Sequence, residues 1–512
     1  MTARGKQIDL VLVNPGDRTQ LFQSLESTLT AIEPPIWAGL MATFALKHGL
    51  SVSILDANGE NLTNEETAEY IVEMDSVLTV VVVYGHQPSA STQNMPAAGK
   101  ICRALKQKNP ELKILLVGGH VAVLPERTLR EEDADFVCDG EGLYTIIDLL
   151  QALKSYDTDY AKVRGLWHLD GCTITSTFPA PLVTHLDQEM SKIAWDLLPM
   201  EKYRAHNWHC FGNLQRQPYA ALYTTLGCPY HCSFCCIQAP FKWSKKKLVQ
   251  KESANSYRFW SPKSVIAQID QLVNEYGVRN IKIADEMFVL NPGHVGGLCD
   301  LIIERGYDLN IWAYARVDTV KEGMLEKLKR TGFNWLAFGI ESASERVRND
   351  VQKGFGQDEI YKTIEKVRAA GIINVIGNYI FGLPEDDLET MDGTLDMAIE
   401  LNCEFANFYC AMAYPGSELY TIALKEGWPL PEKWSGYSQH SVDTLPLATK
   451  YLSASDVLRF RDNAFQVYFN NPKYLTMIDK KLGSETVQHI LEMASHKLIR
   501  RTLWEITSQT SK

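Results

Sequence analysis

The chain has 512 residues, of which 51 are basic and 62 acidic, giving a net charge of −11. That balance argues against a nucleic-acid coat or a membrane-surface binder, which need a basic face, and 45% hydrophobic with 22% charged residues argues against disorder. The 11 cysteines are an odd number in a long chain that opens without a secretory signal, so they point to metal or redox use in the cytoplasm, not to a disulfide scaffold.

The first third alternates strands and helices. Strands are predicted at Ile8–Val13, Ser51–Leu55, Val77–Tyr84, Lys113–Val117 and Phe136–Cys138, short β-branched runs closed by turn residues such as Asn14-Pro15-Gly16, Gly118-Gly119 and Asp139-Gly140. Between them lie amphipathic segments at Trp37–His48, Glu65–Glu73, Met95–Lys108 and Pro125–Glu132. The longest apolar stretch, around Val77–Tyr84, is too short to span a bilayer. Continuous apolar strands separated by helices predict an α/β domain over 1–150 with a doubly wound parallel sheet, and ligands on such sheets sit beyond the C-terminal strand ends.

Residues 151–215 are less regular. They carry a short hairpin (Gly165–Leu169, Cys172–Ser176) and a Pro- and Trp-containing connection, read together as a linker. Alternation resumes with strands at Ala220–Thr225, Asn280–Ala284, Asn310–Ala315, Trp335–Gly339, Val375–Tyr379 and Phe405–Ala411. Helices are predicted at Ser261–Tyr276, Gly293–Arg305, Lys321–Arg330, Gln357–Ala370 and Leu388–Leu401. Six βα units predict a partial barrel over 216–430. Residues 431–512 read as a helical C-terminal domain, with helices at Ala454–Phe469, Pro472–Leu482 and Ser484–Thr507.

The sharpest motif is Gly227-Cys228-Pro229-Tyr230-His231-Cys232-Ser233-Phe234-Cys235, a CxxxCxxC loop just after the first barrel strand. Three thiolates so spaced can hold three irons of a [4Fe–4S] cluster and leave the fourth iron open. Two plainer readings remain: three buried thiols, or a structural zinc site with Cys236, His231 or His209 as fourth ligand.

With that loop, the chain resembles the radical S-adenosylmethionine (SAM) superfamily from about Tyr219 to Trp428. The resemblance implies a partial (β/α)6 barrel in which the open iron chelates SAM, and one electron cleaves SAM to methionine and a 5′-deoxyadenosyl radical. It also implies SAM contacts for residues that follow in order. Asp285 and Glu286 end the second strand and match the acidic pair that meets the methionine amino group; a helix N-cap is the plainer reading of Asp285. Arg316 matches the arginine near the SAM carboxylate, where a surface ion pair is the alternative. Glu341 and Ser342, after Gly339, match the fourth-strand motif at ribose or carboxylate. Gly377, Asn378 and Tyr379 match the fifth-strand motif beside adenine, and Tyr414-Pro415-Gly416-Ser417 the turn after the sixth strand.

Residues 1–150 resemble the cobalamin-binding, Rossmann-like domain that precedes many radical SAM cores. The matching positions are Asn14 and Pro15, Pro34-Pro35, then Gly118, Gly119 and His120, then Gly140, Glu141 and Gly142. Glycines at strand ends let backbone approach a flat ring. A sheet of this type binding another ligand, or none, is the competing reading. The cobalt-ligating DxHxxG motif is absent: the corresponding loop runs Asp17-Arg18-Thr19-Gln20-Leu21-Phe22. His86 and Gln87, in the loop after the third strand, are expected either to approach the cobalt or, preferably, to bond the ring amides. His120 is read as bonding the nucleotide tail or capping a turn. Cys210, Cys236 and Cys410 read as packing residues. Lys242, Lys245, Lys246, Lys247 and Lys251 read as a solvated face, or as a guide for an anionic substrate or an electron donor.

Together the two resemblances imply a methyltransferase that uses a [4Fe–4S] cluster, SAM and cobalamin to methylate an unreactive carbon, or less often phosphorus, of a small molecule or peptide. A flavodoxin or ferredoxin would supply electrons, and no nucleic acid or membrane partner is expected. The alternatives are rearrangement, ring contraction or cyclisation with the same cofactors, and a cobalamin sensor or carrier with an inactive core. No catalytic acid or base is singled out. The helices after Trp428 are read as closing the cavity, with Trp434, Tyr437, Gln439 and His440 as substrate-side residues or as packing at the domain interface, the reading preferred for Trp434.

Overall fold

The structure, a computed structural model, describes residues 7–16, 19–23, 30–156, 159–241, 256–372 and 374–503. The N-terminal sheet is built from β1 (Ile8–Asn14), β2 (Val52–Asp56), β3 (Ser76–Val82), β4 (Ile114–Val117), β5 (Phe136–Cys138), β6 (Leu166–Asp170) and β7 (Thr173–Ser176), in the order β2-β1-β3-β4-β5-β6-β7. The first five strands are parallel. Side chains alternate between the two faces of a strand. Leu10, Leu12, Leu78 and Val80 therefore pack against the helices Ile36–Lys47 and Leu143–Lys154, while Val11, Val13 and Val81 pack against Ala90–Lys108. Strand order reverses around β1, so the ends of β1 and β3 flank a crevice where ligands sit in such sheets. Asn14 and the loop Val83–Gln87 stand there.

Two expectations need correction in this half. The hairpin read as linker extends the sheet: β6 pairs antiparallel with β5, and β7 with β6. Strand β5 is three residues long and fully buried, so its free edge would leave backbone unpaired. The hairpin covers it, and Trp167 Nε1 donates to Asp139 at 3.0 Å. The sheet is thus parallel except along this edge. The rest of the expected linker is core. Trp195 and Tyr203 are fully buried, and Trp208 plugs the lower end of the barrel against Trp312 and Trp335, with ring centroids 5.0 and 5.3 Å away.

The second sheet contains β8 (Tyr219–Leu222), β11 (Asn280–Ile283), β12 (Asn310–Ala315), β13 (Phe333–Glu341), β14 (Asn374–Phe381) and β15 (Phe405–Cys410), all parallel, in the order β15-β14-β13-β12-β11-β8. A short antiparallel pair, β9 (Thr225–Leu226) with β10 (Arg258–Phe259), follows β8. Helices Pro262–Tyr276, Pro292–Arg305, Glu322–Arg330, Gln357–Ala369 and Leu388–Leu401 cover the outside. The α/β class and the partial barrel are as expected. The last predicted helix is interrupted: it ends at Ser495, residues 501–503 are helical again, and 504–507 lie outside the described residues. The chain there turns so that Arg500 enters the core, where it pairs with Asp462 at 2.9 Å and donates to Thr444 Oγ1. No helix among the described residues is long and apolar enough to cross a membrane.

Candidate functional site

The cysteine loop begins at Gly227, whose φ of +76° and 2.5 Å approach of a would-be Cβ to Ser256 O admit only glycine. The loop is strapped from both sides. Gln238 Nε2 donates to Cys228 O at 2.6 Å, Ser233 N–H to Val351 O at 3.3 Å, and Leu419 N–H to Ser233 O at 2.9 Å. Burial pushes the Cys228 thiol up to about 12 and the Cys235 thiol well above its ordinary value. Such thiols stay protonated until a metal displaces the proton. Among the described residues no three His, Cys, Asp or Glu side chains converge as ligands of one ion. A tetrahedral zinc needs that convergence, whereas a cubane takes each thiolate on its own iron. His209 is no fourth ligand: it is buried at the lower end of the barrel, its Nε2 3.1 Å from Asn310 O. The cysteines therefore fit a cluster better than zinc.

Alternation along the strands sorts the other expected residues. Asp285 is turned away from the lumen and accepts from Thr224 N–H at 2.6 Å and Thr225 N–H at 3.0 Å. It ties β8 to β11, and burial still pushes it up to about 6. Glu286, the next residue, lines the internal space with Gly119, Cys236 and Gly227 and has no hydrogen bond or ion pair among the described residues. Burial pushes it up to about 8, against the pull of Lys282. A half-buried carboxyl with no partner among the described residues is suited to receive an ammonium group, so Glu286 and not Asp285 fits the SAM amino group.

Arg316 differs from expectation. Its Nε donates to Asp318 at 2.8 Å, one Nη to Lys353 O, and the other to Cys232 Sγ at 3.9 Å. Its donors are directed at the cluster loop rather than left free for a SAM carboxylate. Glu341 follows a bulge in β13 at a left-handed φ of 66° and pairs with Lys353 Nζ at 2.6 Å. Gly339 leaves room for that pair, since a Cβ there would lie 2.5 Å from Glu341 Oε1. Ser342 is buried away from the lumen, its Oγ 3.2 Å from Thr394 Oγ1. Asn378 faces inward and accepts from Asn407 Nδ2 at 2.9 Å. Tyr379 faces outward onto Phe408, with centroids 5.5 Å apart, and Gly377 makes space for its ring. Asp285, Ser342, Gly377 and Tyr379 thus leave the site, and Lys353, which sequence reasoning missed, enters it.

On the opposite wall, Asn14 Nδ2 donates to Asp56 at 2.7 Å, with Pro15 buried beside it. His86 is not oriented toward a cobalt: Nε2 lies 2.7 Å from Pro34 O and Nδ1 3.1 Å from Glu33. Gln87 Nε2 donates to the hydroxyl of Tyr314 in the barrel. Glu33 also pairs with Lys282 at 2.8 Å; although burial opposes it, His86 and Lys282 hold Glu33 well below the usual carboxylate range. Gly118 is required, because a Cβ would lie 2.2 Å from Val83 O. His120 contacts Thr92 and packs edge-on against Trp434, 4.3 Å between centroids, and burial lowers it to about 3. It is a packing residue. Glu141 accepts from Val183 N–H and pairs with Arg258 at 2.6 Å, locking the two halves instead of awaiting a ligand. Gly140 and Gly142 flank it, Gly142 at φ +99° with a would-be Cβ 2.5 Å from Val117. Asp17, Arg18 and the five lysines from Lys242 to Lys251 lie outside the described residues.

Between the two halves lies a cavity of about 840 Å³, lined by Asn14, Tyr84 and Gln87 from the first domain and Tyr314, Asn407 and Tyr409 from the barrel; Glu286 lines the adjoining inner space instead. Gln439 and His440 line the cavity as well, whereas Trp434 packs on His120 beneath the Arg127 guanidinium.

Residues 25–150 match the B12 binding domain family, and residues 222–398 match the radical SAM superfamily. The chain is a cobalamin-binding radical SAM enzyme. Its cofactors are a [4Fe–4S] cluster, SAM and cobalamin. This radical SAM enzyme is 26% identical over 471 residues to an uncharacterized methyltransferase of Pyrococcus horikoshii, covering 92% of this chain and 94% of that one. It is 25% identical to an anaerobic magnesium-protoporphyrin IX monomethyl ester cyclase of Cereibacter sphaeroides, across 76% of this chain and 60% of the cyclase. In fold it resembles TsrM, a radical SAM methyltransferase of Kitasatospora setae, with a TM-score of 0.65 at 15% identity over 96% of this chain and 99% of that one. It also resembles the cobalamin-dependent radical SAM enzyme OxsB, with a TM-score of 0.68 at 16% identity over 96% of this chain and 72% of that one.

Proposed function

We propose that this enzyme is a methyltransferase that places a methyl group on an unreactive carbon of a small molecule. The observation that carries the reading is a cavity walled by both the B12-binding sheet and the barrel. A methyl donor and a hydrogen-abstracting centre can act on one carbon only when the substrate reaches both from one space. The relative matched over 92% of this chain carries the name methyltransferase, which supports the reading.

When bound, the reduced cluster and SAM supply a radical that removes a substrate hydrogen, and methylcobalamin supplies the methyl group. The residues of this chain do the rest. Cys228, Cys232 and Cys235 hold the cluster, and Glu286 receives the SAM ammonium. Glu341 and Asn378 lie on the lumen side of their strands, toward ribose and adenine. Gly85 and Gly119 line the inner space between the halves, where backbone would meet a flat ring. Pairing of Glu33 with Lys282 removes an unpaired charge from the cavity wall, and aromatic walls at Trp312, Tyr314 and Tyr409 exclude water from a reactive carbon. A flavodoxin or ferredoxin supplies the electron.

The test is anaerobic turnover of the reconstituted enzyme with methyl-labelled SAM, a low-potential reductant and candidate substrates. One 5′-deoxyadenosine and one S-adenosylhomocysteine per labelled product are expected. Formation of 5′-deoxyadenosine alone would instead support a radical reaction without methyl transfer, consistent with the relatives named cyclases. Neither product from a fully loaded cluster would overturn the reading.

A further inference from the structure

We propose that Arg316 is a positioning residue for the iron–sulfur cluster: its guanidinium, clamped by the Val351–Phe355 loop, donates to the Cys232 sulfur and raises the potential at which the cluster is reduced. The inference rests on Cys228, Cys232 and Cys235 being the cluster ligands.

The guanidinium is buried and held on every side. Its Nε is paired with Asp318, one Nη is bonded to Lys353 O, and the remaining Nη points at Cys232 Sγ, 3.9 Å away. Its plane is confined between the Tyr230 ring at 4.2 Å and the Phe355 ring at 5.2 Å. A planar fork held this way keeps a fixed direction, as a flexible lysine would not. Tyr230 lies between the first two cysteines in sequence, so the arginine and the cysteine loop pack against each other through it.

The clamp is itself anchored. Val351 O accepts from Ser233 N–H inside the cysteine loop at 3.3 Å, and Lys353 N–H donates to Arg348 O at 2.9 Å. The fully buried Arg348 reaches forward to Phe355 O at 3.1 Å. A second cation, Lys353 Nζ, lies 5.8 Å from the ring of Phe234, the residue before the last cysteine. Lys353 is paired with Glu341 at 2.6 Å as Arg316 is with Asp318, but among the described residues only Arg316 donates to a cysteine sulfur, so the effect of Lys353 on the cluster is smaller. Hydrogen bonds to cluster sulfurs and nearby positive charge favour the more negative, reduced form and raise the potential.

The experiment is a redox titration of the reconstituted full-length enzyme without SAM, followed by electron paramagnetic resonance, in which the cluster takes one electron from the titrant. Iron and sulfide content confirm loading. Arg316→Met is expected to weaken reduction about tenfold, a fall of about 59 mV for a one-electron couple. Arg316→Lys recovers part of the loss, and Lys353→Met shifts the potential less than Arg316→Met. An unchanged midpoint in loaded Arg316→Met, combined with weaker SAM binding, would overturn the proposal and return the arginine to the SAM carboxylate. If Arg316→Met does not load, Arg316→Lys decides, and a change below twofold overturns the proposal. A parent enzyme that binds no iron after reconstitution refutes the cysteine assignment itself, a separate failure.

Discussion

Glu286→Gln separates the role of Glu286 from that of its neighbour Asp285. Glu286 lines an internal pocket without a partner among the described residues, and burial pushes it up to about 8. An ammonium bound there makes a charge-assisted hydrogen bond worth about 1.5–3 kcal/mol. The glutamine variant should therefore bind SAM roughly 10- to 150-fold more weakly, at 1.4 kcal/mol per tenfold, with cluster content unchanged. The pH dependence adds a second readout. Glu286 must ionise to receive the ammonium, so SAM binding to the parent enzyme should tighten by up to tenfold per pH unit from about pH 6 to about pH 7.5, below the titration of an α-amino group itself. The variant should lose that slope. Stability moves the other way. The unfolded carboxyl ionises near 4.5 while the folded one keeps its proton to about 8, so the SAM-free protein loses stability as pH rises across that window, and Glu286→Gln flattens the loss. Isothermal titration of reconstituted protein measures the affinity. A change below twofold, or the same slope in both proteins, would refute the role of Glu286.

Three further outcomes follow from the geometry. Glu141→Gln leaves the buried Arg258 without its ion partner, 2.6 Å away in the parent; a loss of about 3–5 kcal/mol is expected in denaturant unfolding, and a loss under about 1 kcal/mol would show that the pair does not hold the halves together. His86→Gln should leave the absorption spectrum of bound cobalamin unchanged, because both ring nitrogens already face Pro34 and Glu33; a spectral shift would place an imidazole on cobalt. Tyr379→Phe should leave SAM affinity within about twofold and stability within about 1 kcal/mol, since its ring packs outside the lumen.

The residues that sequence patterns located well are those whose role depends on local order. Short, continuous β-branched runs closed by turn residues found β1 to β5 and the six barrel strands to within a few residues, because strands buried on both faces are apolar throughout. The alternation of side chains along a strand explains where the motif reading went too far. Adjacent residues of a strand cannot both face the lumen, so of Gly377, Asn378 and Tyr379 in β14 only the middle one enters; Asp285 and Glu286 lie beyond the end of β11, where the amides of Thr224 and Thr225 hold Asp285. The alternation was present in the sequence. The pairings Glu33 with Lys282 and Glu141 with Arg258 were not, for they join residues 249 and 117 positions apart, and charged residues at such distances carry no pattern. The segment around Trp195, Tyr203 and Trp208 was read as linker because short 3₁₀ turns lack a helical or strand period; its buried aromatics were the available hint.

The strand-end polar residues expected at the corrin share one fate. His86 is held by Glu33 and Pro34, His120 by Thr92 and Trp434, and Glu141 by Arg258 and Val183. Each serves the packing within or between the halves, while Gly85 and Gly119 line the space between them. Buried polar groups demand partners, and the partners here are protein groups positioned before any cofactor arrives. A corrin bound there would meet a His86 whose ring nitrogens already face Pro34 and Glu33. The same logic applies across the cavity, where Asp285 and Ser342 are satisfied internally and Glu286 is left without a partner. The carboxyl left without a partner among the described residues, not the acidic pair as such, is therefore the one we propose to receive a cation.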